Sequence, residues 1–168
     1  MPEETPEHAT AEPTEHPSIA RIRAELARFG AVGEIRFFPD GVRTAAQAAE
    51  ALGCEVGAIA NSLVFDADGS PVLILTSGAH RVDTAKVAAE LGVARLGRAS
   101  PDFVREHTGQ AIGGVAPIGH PSPVPTYIDP WLGRHETVWA AAGHSHAVFH
   151  TTYDELVRLT EATELEVE

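Results

Sequence analysis

Two apolar stretches, Ile59 to Phe65 (IANSLVF) and Val72 to Thr76 (VLILT), stand on either side of the five residues Asp66 to Ser70, DADGS. An Asp-Gly pair between two apolar runs predicts an antiparallel hairpin, because such a turn matches the twist of the strands it joins. Most of what surrounds it must be arranged around that pair, in the middle of a sheet. The flanking segments alternate helices with further antiparallel pairs, not with single parallel strands. The expected class is α+β with a mixed sheet, and a doubly wound nucleotide fold is excluded.

Helix signals fill in the rest. Pro17 suits a first helical turn, and Ile19, Ile22, Leu26 and Phe29 recur at helical spacing until Gly30, which predicts an amphipathic surface helix. Ile35, Phe37 and Phe38 predict a short strand and Asp40-Gly41 a turn. Thr44 is placed to cap an alanine-rich helix that stops at Gly53. Asp83 caps a helix ending at Gly92, Val93 to Leu96 predicts a strand, and Ser100-Pro101-Asp102 starts a helix over Phe103 to His107. Thr126 to Asp129, a Pro130-Trp131-Leu132 turn, Thr137 to Ala142, the corner Gly143-His144-Ser145-His146 and Ala147 to His150 predict another hairpin. Thr152 with Glu155 forms a capping box for a last helix through Leu156 and Leu159, and Leu165 and Val167 suggest a terminal strand.

With 168 residues, 43% of them hydrophobic, and no internal repeat, one domain over residues 17–168 is expected. Residues 1–16 are rich in Pro, Glu and Thr, offer little to bury and are expected to be a disordered acidic leader. The net charge of −12 lies mostly at the ends: residues 1–16 carry five glutamates, and residues 154–168 carry six acids against Arg158. The body is near neutral, so a local basic face from Arg21, Arg23, Arg28, Arg81, Lys86, Arg95, Arg98 or Arg105 stays open, against the plain reading of these residues as solvated helix faces. No apolar run is long enough to span a bilayer and the acidic N-terminus is no signal peptide, so a cytoplasmic protein without membrane contact is expected. Cys54 is the only cysteine and reads as a small, buried or half-buried residue.

The chain has no G-x-x-x-x-G-K-[ST], no G-x-G-x-x-G after a strand, no H-E-x-x-H and no G-x-S-x-G. His144 and His146 would point the same way on a strand, as a two-imidazole site requires. No carboxylate or cysteine stands beside them, so no metal and no cofactor is expected. What does stand out is Thr108 to Pro121, TGQAIGGVAPIGHP, with four glycines, two prolines and a single imidazole, His120. Glycine admits positive φ and close approach of a ligand, and proline fixes the backbone, so the stretch suits a shaped loop that offers N–H groups to a carbonyl or oxyanion. The same composition also suits a plain turn between strands.

IANSLVF, GAHRVDTAK, TGQAIGGVAPIGHP, YID and VWAAAGHSHAVF come one after another in the order and at about the spacing found in the YbaK/EbsC-type aminoacyl-tRNA deacylases. The chain therefore resembles that family, which is related to the editing insertion of bacterial prolyl-tRNA synthetases. The likeness runs from about Thr44 to Leu159, and its most specific part is G-G-x-x-P-x-G. It implies a mixed, barrel-like sheet flanked by helices, and hydrolysis of the ester joining a wrong amino acid to the 3′-terminal ribose of a tRNA. The implied partners are the acceptor end of a misacylated tRNA and an aminoacyl-tRNA synthetase.

On the resemblance, backbone donors around Gly113, Gly114 and Gly119, shaped by Pro117, would stabilise the oxyanion, while a substrate hydroxyl and water carry the proton transfers. Where many members have a lysine, this chain has Asn61, which keeps a donor and drops the fixed charge. Asn61 reads equally as an orienting residue or as a strand-entry turn residue. Asp129, Gly143 and His144 match family positions near the pocket, with structural roles as their alternatives; Lys86 matches a family lysine but lies within a predicted helix, as a structural or tRNA-facing residue; and His120 ends the loop. Leu63, Ile112, Val115 and Ile118 would line a pocket for a small amino acid. The implied activity is trans-editing hydrolysis; the alternative is a catalytically weak or inactive binding module of the same fold.

Overall fold

The computed structural model describes residues 15–31 and 33–168, so the disordered leader expected over residues 1–16 lies outside the described residues except for its last two. Those two precede the first helix and hold its start. His16 N-caps α1 (Pro17–Arg28) by accepting the Ser18 N–H on Nδ1 at 3.1 Å, and Glu15 takes Arg23 at 2.6 Å.

The hairpin occupies the centre. β2 (Ile59–Ala67) pairs antiparallel with β3 (Ser70–Ser77) through eight consecutive residue pairs, and the turn narrows to Asp68-Gly69, both at positive φ. Asp68 also anchors the segment after α3: its carboxylate accepts the Ala94 and Arg95 amides at 2.8 and 3.1 Å. Around the hairpin run β1 (Ile35–Phe37), α2 (Ala45–Leu52), α3 (Thr84–Leu91), β4 (Leu96–Arg98), α4 (Pro101–Thr108), β5 (Thr126–Ile128), β6 (Val138–His144), β7 (Ala147–Thr151), α5 (Tyr153–Thr160) and β8 (Thr163–Glu164). The ladder runs β1-β7-β6-β2-β3-β5-β8, with β4 added on β2, in both parallel and antiparallel pairings. This is the mixed α+β class, with five α-helices and an eight-stranded sheet among the described residues.

β3 explains how the layers assemble. Its side chains alternate, so Leu73 and Leu75 enter one hydrophobic cluster with α1, β6, β7 and α5, while Val72 and Ile74 enter a second with α3 and the C-terminal Leu165 and Val167. A strand covered on both faces needs the unbroken apolar run seen in the sequence.

Three elements differ from the sequence expectation. Val93 does not start a strand, because its N–H closes the C-cap of α3 on Ala88 and the next two amides go to Asp68; β4 begins at Leu96. The Pro130 turn extends into a 3-10 helix, Pro130–Arg134, since Asp129 caps it through the Trp131 N–H at 2.9 Å. The terminal ladder is Thr163–Glu164, and Leu165 and Val167 come after it as core residues, Leu165 donating to Ile128 and Val167 accepting from Asp83.

Candidate active site

The sheet opens along one edge of β2. Pairing with β6 ends at Ala60 and pairing with β4 begins at Phe65, so on that edge Asn61, Ser62, Leu63 and Val64 have no strand partner. A cavity of about 600 Å³ lies there. Its floor is β2 with Trp139, Ala141 and Val148 of β6 and β7, one side is the entry to α2, and the other is the glycine loop with Ala99 and Val104.

Helix α4 ends at Gly109, and the loop then divides into two faces. The front face is Ile112, Gly113, Gly114 and Val115, all of which line the cavity. Gly114 has φ +141°, and a Cβ placed on it would stand 2.5 Å from the His144 carbonyl carbon and the Ser145 nitrogen, so the backbone of the loop lies directly against the β6–β7 corner. Neither the Gly113 nor the Gly114 amide donates a hydrogen bond to any described residue. The rear face is buried: Ala116 and Ile118 belong to the main core, beside Ile19 and Ile22 of α1.

Gln110, which sequence reasoning passed over, holds the two faces together. It is 4% exposed, and its side-chain amide accepts the Ala116 N–H at 2.7 Å and donates to the Ile118 carbonyl at 3.3 Å. Its own N–H goes to Thr108 Oγ1 at 3.1 Å. An uncharged amide carries both a donor and an acceptor, so it can substitute for a missing strand neighbour across a bend. The signal in the sequence was the lone amide side chain inside an otherwise small and apolar loop.

His120 closes the loop behind, with Nε2 2.8 Å from the Ala116 carbonyl. Burial holds its imidazole below the ordinary histidine range; the Ala116 carbonyl opposes that shift and the Arg21 charge adds to it. A histidine kept neutral in the fold favours the folded state only while the unfolded chain is also neutral. Stability should therefore be level above about pH 7 and fall as the pH drops through about 6.5, where the unfolded chain takes up the proton first. Thermal melts from pH 8 to 5 check this: His120→Gln should show a shallower decline than the parent, and parallel profiles would refute it.

The structure brings some of the predicted site residues together and leaves others apart. Asn61, Leu63, Ile112, Gly113, Gly114, Val115 and His144 share the cavity wall. Pro117 is buried behind the loop, and Ile118 is a core residue, not a pocket residue. Gly119 packs on α1, where a Cβ would meet Ile22 Cδ1 at 2.6 Å, so its backbone faces away from the cavity wall formed by Gly113 and Gly114. His120 likewise lies outside the lining. Asp129 is 1% exposed and fully used by the fold, accepting from the amides of Ser77 and Trp131 and contacting His80 Nδ1 at 2.7 Å. Lys86 reaches the C-terminal Glu168 carbonyl. Gly143 sits against Ser18 and lines a small neighbouring recess shared with His16, His144 and Gly113.

At the β6–β7 corner the His144 ring lies against those of His16 and His146, with centroids 4.8 and 5.0 Å away and ring planes tilted by 46° and 43°. The His144 Nδ1 accepts the His146 N–H, and His146 Nδ1 lies 3.0 Å from the Phe38 carbonyl. Among the described residues no group of three or more His, Cys, Asp or Glu is arranged to hold a metal ion. Burial, followed by the charges of His16 and His146, lowers the His144 proton affinity.

The charged lining of the cavity is Arg43 and Arg98, with no carboxylate beside them. Ser62 Oγ is buried on β2 without a hydrogen-bond partner, so no base is in place to activate it as a nucleophile. Main-chain amides, a largely apolar floor and two cations are what the site offers to a reacting group. Among the described residues no helix is long and apolar enough to cross a membrane.

A family model described as the aminoacyl-tRNA editing domain matches residues 39–159. The uncharacterized protein YwhH of Bacillus subtilis is 33% identical over 141 residues, spanning 83% of this chain and 88% of YwhH. A proline–tRNA ligase of Levilactobacillus brevis is 30% identical over 93 residues, which is 55% of this chain and only 16% of the ligase. A crystal structure described as a candidate trans-editing enzyme for prolyl tRNA synthetase superposes with a TM-score of 0.85 at 41% identity, covering 91% of this chain and 98% of that one.

Proposed function

The chain belongs to the aminoacyl-tRNA editing domain family, and from that premise we propose that it acts as a trans-editing hydrolase, cleaving the ester between a wrong amino acid and the 3′-terminal ribose of a tRNA. The observation that carries this reading is the pair Gly113 and Gly114, whose amides donate to no described residue, on the wall of a cavity whose lining has no carboxylate and no nucleophile–base pair. Donors already fixed at the place where negative charge develops act without reorganisation, and one such donor is worth a factor of about 10²–10³ in rate. Asn61, Leu63, Ile112 and Val115 would orient and enclose a small aminoacyl group. Water would attack the carbonyl carbon, assisted by a hydroxyl of the substrate, and the ribose oxygen would leave with the proton.

The likeness to a segment of proline–tRNA ligase and to the trans-editing structure supports a tRNA partner and points to association with a synthetase. A second reading, a catalytically weak module that binds and does not cleave, is favoured by Asn61, which supplies no fixed charge. Incubation of the purified protein with a panel of mischarged tRNAs separates them. Release of free amino acid from one or more members supports editing. Saturable binding with no release from any member leaves the module.

A further inference from the structure

Resting on that reading, we propose that Arg43 and Arg98 grip the phosphates of the last nucleotides of the RNA, supplying the positive charge that Asn61 does not. Many arginines on this chain are already engaged: Arg23 with Glu15, Arg28 with Glu25, Arg158 with Glu155, and Arg134 on the face of Trp131. Arg43 and Arg98 are different. Both are exposed, both line the cavity, and neither guanidinium has an ion-pair or hydrogen-bond partner among the described residues.

Their backbones are fixed on two sides of the cavity, Arg43 at the entry to α2 and Arg98 on β4. Val42 donates to the Ser145 carbonyl at 3.1 Å and Arg43 N–H to Gln47 Oε1 at 2.8 Å, while Thr44 caps α2 through the Gln47 N–H. Arg43 is thus tied to the β6–β7 corner and to the first turn of α2. Arg98 lies on β4 in register with Phe65. Two long arms that reach over one cavity from different elements can each take one phosphate, and the floor beyond the last of them is left for the terminal ribose and its ester.

A chain of net charge −12 repels polyanions at a distance. A site that excludes carboxylates from its lining and leaves two guanidiniums unpaired reverses that locally, and planar guanidinium pairs well with phosphate.

The test is a binding series on the full-length protein with adenosine, adenosine 5′-monophosphate and the dinucleotide pCpA, which carry zero, one and two phosphates, alongside inorganic phosphate. Affinity should rise about tenfold with each phosphate, as a charge-assisted bond predicts. R43Q and R98Q should each remove one such step, with adenosine binding unchanged and Arg95→Gln, which lies outside the lining, behaving as the parent. The pCpA affinity should also weaken with salt. Equal affinity for the three nucleosides and nucleotides, or variants matching the parent, overturns the proposal. So does inorganic phosphate displacing pCpA as well as the monophosphate does, which would make this a free-anion site. Because the ranking needs no turnover, an inactive protein that keeps it would refute the editing reading and not the clamp.

Discussion

Gly114→Val is expected to lower deacylation of the susceptible mischarged tRNA by more than about 10²-fold, the scale of losing positioned oxyanion donors. At φ +141° a branched side chain is strained by about 1–3 kcal/mol, and its Cβ would meet the His144–Ser145 backbone at 2.5 Å, a contact that a backbone neighbour cannot relieve by changing rotamer. The loop must lift from the β6–β7 corner, and the Gly113 and Gly114 amides move with it. Gly113→Ala is the control, because a Cβ there meets nothing within 4 Å although its φ is +84°. The alanine variant should lose some stability and keep most of its turnover. Single-turnover release measured on both variants, with a thermal melt to verify folding, decides the matter. Cleavage by Gly114→Val at the parental rate would remove the loop from the chemistry.

Asp129→Ala should have the largest effect on stability, about 3–5 kcal/mol, typical of breaking a buried charged group away from its partners. Its two carboxylate oxygens serve the Ser77 and Trp131 amides and the His80 ring, so removal strands buried donors at the end of β3 and at the start of the 3-10 helix. For a chain of this size that corresponds to a fall of roughly 10 °C or more in Tm. Asp129→Asn keeps one acceptor and should recover part of the loss. At a temperature where each variant is folded, KM for mischarged tRNA should match the parent, since Asp129 stands outside the cavity wall. A KM raised tenfold in a fully folded Asp129→Asn protein would return this residue to the substrate.

Much of the architecture could be read from residue patterns. The Asp-Gly turn between two apolar runs locates the β2–β3 hairpin, and Thr44, Asp83, Ser100 and Thr152 each accept the amide three residues on, as their positions ahead of the helices predict. The unbroken VLILT run marks a strand covered on both faces. The start of β4 is not where the pattern puts it, because a long-range partner takes over backbone groups: Asp68 claims the amides of Ala94 and Arg95 from 26 and 27 residues away, and no local pattern announces that.

The same divide holds at the site. Glycines and prolines at Thr108–Pro121 identify a shaped loop, because torsional freedom and its absence are properties of single residues. Which side of that loop faces the substrate is not such a property. Gly113 and Gly114 open on the cavity while Pro117, Ile118, Gly119 and His120 back onto α1 and the core, a difference set by Ile22 and by the Gln110 amide bridging Ala116 and Ile118. Arg43 and Arg98, 55 positions apart in the chain, meet at one cavity only because β6 leaves the edge of β2 at Ala60 and β4 joins it at Phe65. By itself the sequence determined the elements, their caps and the loop, since those arise from local sterics and periodicity. Tertiary structure alone decided which amides stay unsatisfied and which charges share a space, because those depend on how distant strands share one edge.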